Sequence, residues 1–127
     1  MNSNVELLKR NLKNWLNKNN NESEDLKKKI IDAALKLDKY QLISLSGGNV
    51  SLRVDSEHIL VTPSGMVYDE MVPEDVLVVN NDGKIVEGER KASVDTVALC
   101  YIYKNMPNVN SVIHTHQPFA TGLGLVF

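Results

Sequence analysis

Apolar residues recur every three or four positions through the first third of the chain and then give way, near Gln41, to short apolar runs separated by turn residues. Val5, Leu8, Leu12 and Trp15, with Leu7 and Leu16 beside them, stand among lysines and asparagines. This spacing predicts an amphipathic helix over about Asn4 to Lys18. The polar run Asn17 to Ser23 predicts a break, and Asn21 followed three residues later by Glu24 has the form of a capping box that opens a second helix. Leu26, Ile30, Ala33, Ala34 and Leu37 give that helix its apolar stripe, which fades near Tyr40. Packing accounts for both stripes. The expected organisation is a helical extension over 1–22 followed by one domain over 23–127.

After Gln41 the turn cluster Ser46-Gly47-Gly48-Asn49 leads into a strand over Val50 to Val54, a turn at Asp55-Ser56 and a strand over His58 to Thr62. Pro63-Ser64-Gly65 opens an irregular stretch to Asp75. A second hairpin follows, with Val76 to Asn80 and Lys84 to Glu87 joined by Asn81-Asp82-Gly83. Ser93 can cap a helix from Val94 to about Asn105, which Met106-Pro107 ends and which delivers the chain into a strand at Ser111. Helical residues are expected to resume after Pro118. Short links require antiparallel pairing, and helices flanking such a sheet predict an α+β or three-layer α/β/α class.

Composition narrows the function classes. The chain has 127 residues, 43% of them hydrophobic, enough for one buried core. A formal charge of -2 provides no basic field for nucleic acid or an anionic membrane, though a local anion site is compatible with it. No apolar run approaches the roughly 18 residues of a spanning helix, and the N-terminus lacks the apolar core of a signal peptide, so a cytoplasmic protein is expected. A single cysteine, Cys100, excludes an internal disulfide and a multi-cysteine zinc site. Between Leu99 and Tyr101 in a helical stretch, it reads as core packing rather than a nucleophile. The chain ends on the apolar run Gly122-Leu123-Gly124-Leu125-Val126-Phe127, an ending that predicts a fragment of a longer chain or a product cut short.

The chemistry is concentrated in the run Ser111-Val112-Ile113-His114-Thr115-His116. On a strand successive side chains point to opposite faces, so His114 and His116 emerge together, close enough to hold one metal ion. Solvated strands carry such pairs too, and the context has to decide. Three small-residue clusters precede the pair: Ser46-Gly47-Gly48-Asn49, Thr62-Pro63-Ser64-Gly65 and Lys91-Ala92-Ser93. Singly they are ordinary turns; together, with backbone N–H groups, hydroxyls and an amide, they suggest a phosphate cradle. Asp95, two residues inside the expected helix, reads either as a dipole-compensating carboxylate or as a group aimed at the metal of His114 and His116, as ligand or proton carrier. His58 begins a strand after a turn and reads as solvated rather than as a ligand.

Taken in order, Gly48-Asn49-Val50-Ser51, Thr62-Pro63-Ser64-Gly65, Val86-Glu87-Gly88, Lys91-Ala92-Ser93-Val94-Asp95-Thr96 and His114-Thr115-His116 closely resemble the class II aldolase and adducin family. The resemblance covers roughly Leu26 to Phe127. It implies a three-layer α/β/α fold with a largely antiparallel sheet. It also implies a zinc or other divalent ion such as manganese or cobalt, held by His114, His116, a third histidine further along and, transiently or permanently, Asp95. Gly48, Asn49, Ser64, Gly65 and Ser93 match positions that hold the substrate's phosphate. The implied chemistry is retro-aldol cleavage of a phosphorylated ketose with Lewis-acid help, or a 4-epimerisation that repeats this step and re-adds the aldehyde by its other face. The family also implies a homo-oligomer, commonly a tetramer, with active sites between subunits.

The departures bear on the branch. Asp95-Thr96 resembles the epimerases, where the aldolases usually carry Glu; Gly47-Gly48-Asn49 is more like the aldolases, where the epimerases usually have Trp-Gly-Asn. Ala92 replaces the usual Pro, and Val94 stands where a second phosphate-binding Ser is common, which removes one hydroxyl donor worth about 1.5 to 3 kcal/mol against a charged phosphate. The third histidine and the residues that finish the reaction in the family lie beyond Phe127, so the 127-residue chain is expected to bind metal weakly and not to turn over alone. Two other readings compete: a non-catalytic module like the adducin head domains, which lack the metal ligands, and a truncated chain that only associates with partners. Retention of His114 and His116 argues against the former.

Overall fold

The computed structural model of the chain describes residues 3–43 and 47–116. Element order is a long helix α1 (Ser3–Lys39), β1 (Asn49–Arg53), β2 (His58–Val61), two 3-10 turns (Tyr68–Glu70 and Pro73–Asp75), β3 (Leu77–Asn80), β4 (Ile85–Glu87), α2 (Thr96–Asn105) and β5 (Ser111–His114). The five strands form one sheet in the order β4-β3-β2-β1-β5, antiparallel at every described pairing. The strands expected from the sequence are all present with ends moved by one or two residues. The helical resumption expected after Pro118 and the apolar end of the chain lie outside the described residues, as does Ser46.

Alternation along the strands sorts the core into two layers. Val50, Leu60, Val76 and Val78 pack with Ile30, Ile31, Ala34 and Leu37 of α1 and with Tyr68 and Met71. Ile59, Val61, Leu77 and Val79 point the other way, against Leu99, Cys100 and Tyr103 of α2. The architecture is therefore helix, sheet, helix, the three-layer class the sequence predicts. Cys100 is buried, and burial pushes its thiol up from the usual range, in keeping with a packing role.

Two sequence expectations are corrected. The polar run Asn17 to Ser23 does not end a helix: α1 passes through it without interruption for 37 residues, and Asn21 and Glu24 lie inside it instead of capping a second helix. The run contains neither Gly nor Pro, and each Asn costs only a fraction of a kcal/mol in a helix interior, so no breaker is present. His58 is not solvated. Its side chain is 11% exposed and its Nδ1 lies 2.9 and 3.1 Å from the two carboxylate oxygens of Asp55, across the turn between β1 and β2.

Strand β1 fixes α2 with polar groups. Asn49, Ser51 and Arg53 share the α2 face of the strand. Ser51 Oγ and the Tyr103 hydroxyl share a hydrogen bond of 2.8 Å. Arg53 donates to the carbonyls of Tyr103 (2.8 Å), Met106 (3.2 Å) and Val109 (3.0 Å), satisfying acceptors that the end of α2 leaves open. The sheet supplies the remaining stability by burial. Leu60 is fully buried, and Leu60→Ala is expected to cost about 2 to 5 kcal/mol in urea unfolding through lost transfer energy and a cavity; a loss below about 1 kcal/mol would contradict this packing.

Candidate active site

The antiparallel register brings distant segments to one end of the sheet. β1 begins there at Asn49, which pairs with His114 at the end of β5. β2 ends there, and Thr62 binds back to β1: its N–H donates to Val50 O at 3.1 Å and its Oγ1 accepts the Val50 N–H at 3.2 Å. The Ser64 N–H donates to Lys91 O at 2.9 Å, which joins the loop after β2 to the segment that leads into α2.

Gly48 precedes β1 with φ +86°. A Cβ on it would lie 2.6 Å from the His114 carbonyl oxygen and 2.8 Å from Ile43 Cγ2, so only glycine allows the close approach of the two strands here. The buried Tyr68 hydroxyl donates to Gly48 O at 3.1 Å. Nothing in the sequence marked Tyr68 beyond an aromatic residue in an irregular, polar stretch.

Five of the sequence-predicted residues meet at this point. Asp95 Oδ2 lies 3.1 Å from His114 Nδ1, 3.2 Å from Asn49 Nδ2 and 3.4 Å from Ser93 Oγ. Asn49 Nδ2 is also 3.4 Å from His114 Nδ1. The His114 and His116 rings are neighbours, with centroids 4.8 Å apart and planes inclined by 40°. Asn49 is 1% exposed, whereas the side chains of Asp95 and His114 are 40% and 41% exposed. Gly48 lies directly behind this group. Ser64 and Gly65 are exposed and tied to the same end through Lys91, but among the described residues they make no hydrogen bond to Asp95 or the histidines.

Details differ from the sequence reading. α2 starts at Thr96, not Val94, and Asp95 is its N-cap residue rather than a residue two positions inside. Ser93 explains the delay: its hydroxyl accepts the Asp95 N–H at 3.1 Å and its carbonyl accepts the Thr96 N–H at 3.1 Å, a turn that precedes the helix. The Asp95 side chain does not cap α2; it is directed to Asn49, Ser93 and His114 instead. β5 ends at His114, so His116 is not on the strand, and its N–H is held by Leu42 O at 3.1 Å. The two rings stay together nonetheless.

Two adjacent imidazoles beside a carboxylate form a donor set suited to a borderline divalent ion. Among the described residues no three His, Cys, Asp or Glu side chains gather as a ligand group. The residues present fit the metal as a histidine pair that needs further ligands.

This architecture is that of the class II aldolases. An L-fuculose 1-phosphate aldolase superposes with a TM-score of 0.74 and 30% identity over 80% of this chain and 49% of that one; the L-fuculose-1-phosphate aldolase of Thermus thermophilus gives 0.69 and 27% over 82% and 52%. The chain belongs to the class II aldolase and adducin N-terminal domain family, matched over residues 28–126. It is 38% identical over 100 residues to the L-ribulose-5-phosphate 4-epimerase UlaF of Salmonella paratyphi B and of Salmonella typhi, covering 77% of this chain and 43% of theirs. The chain thus spans less than half the length of these relatives.

Burial raises the Tyr68 phenol above its usual value of 10.0. The stability carried by the neutral hydroxyl is complete below that value and is lost as the pH rises through the raised folded-state value. Tyr68→Phe is expected to cost about 1 kcal/mol at neutral pH by leaving Gly48 O without its donor. Urea midpoints of the two proteins should converge in strongly alkaline solution; a variant equal to the parent at neutral pH would contradict the role given to this bond.

Proposed function

We propose that this chain is the N-terminal part of a metal-dependent enzyme of retro-aldol chemistry on a phosphorylated ketose, of the L-ribulose-5-phosphate 4-epimerase type. The observation that carries the reading is the convergence of Asn49, Ser93, Asp95, His114 and His116 at one end of the sheet. Asp95-Thr96 and the 38% identity to the 4-epimerases favour this branch. Gly47-Gly48-Asn49 and the likeness to fuculose-phosphate aldolases favour aldol cleavage as the second reading.

On this reading His114 and His116 hold a zinc, manganese or cobalt ion together with a ligand outside the described residues. The ion supplies Lewis-acid stabilisation of negative charge that develops on a substrate oxygen. The substrate phosphate goes to the segments of Gly48, Asn49, Ser64, Gly65 and Ser93, where backbone N–H groups, hydroxyls and the start of α2 favour an anion. Asp95, partly exposed beside the rings, is placed to hold or move a proton, and its second carboxylate oxygen can serve as a further ligand. We assign the complete enzyme to the cytoplasm as a homo-oligomer, a tetramer by family likeness. No helix among the described residues is long and apolar enough to cross a membrane.

Calorimetric titration of the 127-residue chain with zinc tests the reading. Binding in the micromolar range is expected, lost in His114→Ala and in His116→Ala, and the zinc-loaded chain should bind L-ribulose 5-phosphate more tightly than unphosphorylated L-ribulose. Absence of zinc binding, or binding indifferent to both substitutions, would favour a non-catalytic adducin-like module.

A further inference from the structure

We propose that the first half of α1 is a pairing surface for a second copy of this chain: two such helices lie antiparallel, and the cationic half of each reaches the acidic cleft at the root of the other. This half of α1 has no part in the site described above, and the family match begins only at residue 28. The pairing is additional to any subunit contact that the family likeness supplies.

Helix geometry sets the face. Val5, Leu8, Leu12 and Trp15 are spaced three, four and three residues apart, the repeat by which one helix packs on another. Asn19 and Glu22 take the next two positions and end it. Because α1 is one uninterrupted helix, about 3.6 residues per turn put positions 5, 8, 12 and 15 in line with Ile30, Ala34 and Leu37, the side that packs on the sheet. Among the described residues, however, α1 contributes to the core only from Leu26 onward. Glu6, Arg10, Lys13, Asn14 and Asn17 are exposed on the other side of the helix, so the repeat forms a stripe that continues past the domain.

Charge selects what covers it. Residues 3–21 carry four cations, Lys9, Arg10, Lys13 and Lys18, against Glu6 alone, although the whole chain has a net charge of -2. Glu22, Glu24 and Asp25 follow directly, and Glu24 lines a cleft of about 680 Å³ with Glu74, Asp75, Glu87 and Glu89. Lys27 and Arg90 are the cations of this cleft. Lys27 is shared by Glu24 and Glu87 at 3.8 and 3.4 Å, and Arg90 is held by Asp75 at 3.0 Å. Among the described residues Glu74 and Glu89 have no cationic partner. A continuous helix cannot turn its cationic half back on the cleft beside its own root, so a second molecule has to bring it. A parallel pair would set cations against cations. The antiparallel pair sets them beside Glu22 and the cleft of the second copy, and two-fold symmetry makes that contact twice. An anionic bilayer would attract the cations but repel the cleft at their root. The docked half of α1 already holds the helix in shape, so pairing does not have to nucleate it.

Sedimentation equilibrium of the 127-residue chain tests this, with circular dichroism to confirm that each variant is folded. The wild type is expected as a dimer, and Leu8→Gln with Leu12→Gln as a monomer. Lys9→Glu with Lys13→Glu, and separately Glu22→Lys with Glu89→Lys, should each weaken self-association about 10-fold or more, because each brings like charges together in an antiparallel pair. An equimolar mixture of these two variants should recover the wild-type dimer. A parallel pair only exchanges one like-charge contact for another, so charge variants that self-associate as the wild type does would overturn the arrangement. An oligomer indifferent to Leu8→Gln with Leu12→Gln would overturn the proposal by placing association on another surface. A monomeric wild-type chain overturns it as well, and flotation of that monomer with phosphatidylserine vesicles would assign the stripe to a membrane instead. None of these outcomes depends on zinc or on a sugar phosphate.

Discussion

The pairing of Asn49 with His114 across β1 and β5 is the constraint on which the site depends. The two residues are 65 positions apart in the chain, and no local preference could bring them together. The pairing puts both side chains on the face toward α2, and Gly48 allows it by admitting the His114 carbonyl where a Cβ would clash. A slip of one residue would turn His114 to the α1 face and remove it from Asp95. Register specificity comes from the hydrophobic layers: Val50 must be buried with α1, which leaves Asn49 and Ser51 facing α2.

The same strand aligns the helix that carries Asp95. Along β1, Asn49 meets the start of α2, Ser51 meets Tyr103 in its last turn, and Arg53 meets the carbonyls at its end. Apolar contacts from Leu99, Cys100 and Tyr103 press the helix on the sheet, but such contacts are non-directional and would allow it to slide. Directional hydrogen bonds at three points along the helix set its position. The N-cap residue is thereby delivered beside the end of β5, and the carboxylate reaches His114 without any strained backbone at Asp95.

Much of this was legible in the sequence. Short apolar runs and turn residues located the five strands and α2, and the motif reading singled out Asn49, Ser93, Asp95, His114 and His116, which the fold gathers at one end of the sheet. Three features were not legible. The continuity of α1 through Asn17 to Ser23 depends on the absence of a breaker, a weaker signal than the polar composition that suggested one. The partnership of His58 with Asp55 depends on the shape of a turn. The burial of Asn49 and its commitment to Asp95 depend on a register between residues far apart, which periodicity cannot convey. The motif order did identify the family, because an ordered set of loops encodes an arrangement that no single loop does.

The proposed function places one divalent metal ion at the neighbouring rings of His114 and His116. Anomalous diffraction from crystals of the chain soaked in zinc tests it most directly. A single strong anomalous peak within about 2.1 Å of a ring nitrogen of His114 and of a ring nitrogen of His116 is the expected result. A peak elsewhere on the molecule, with the two rings turned apart, would contradict it.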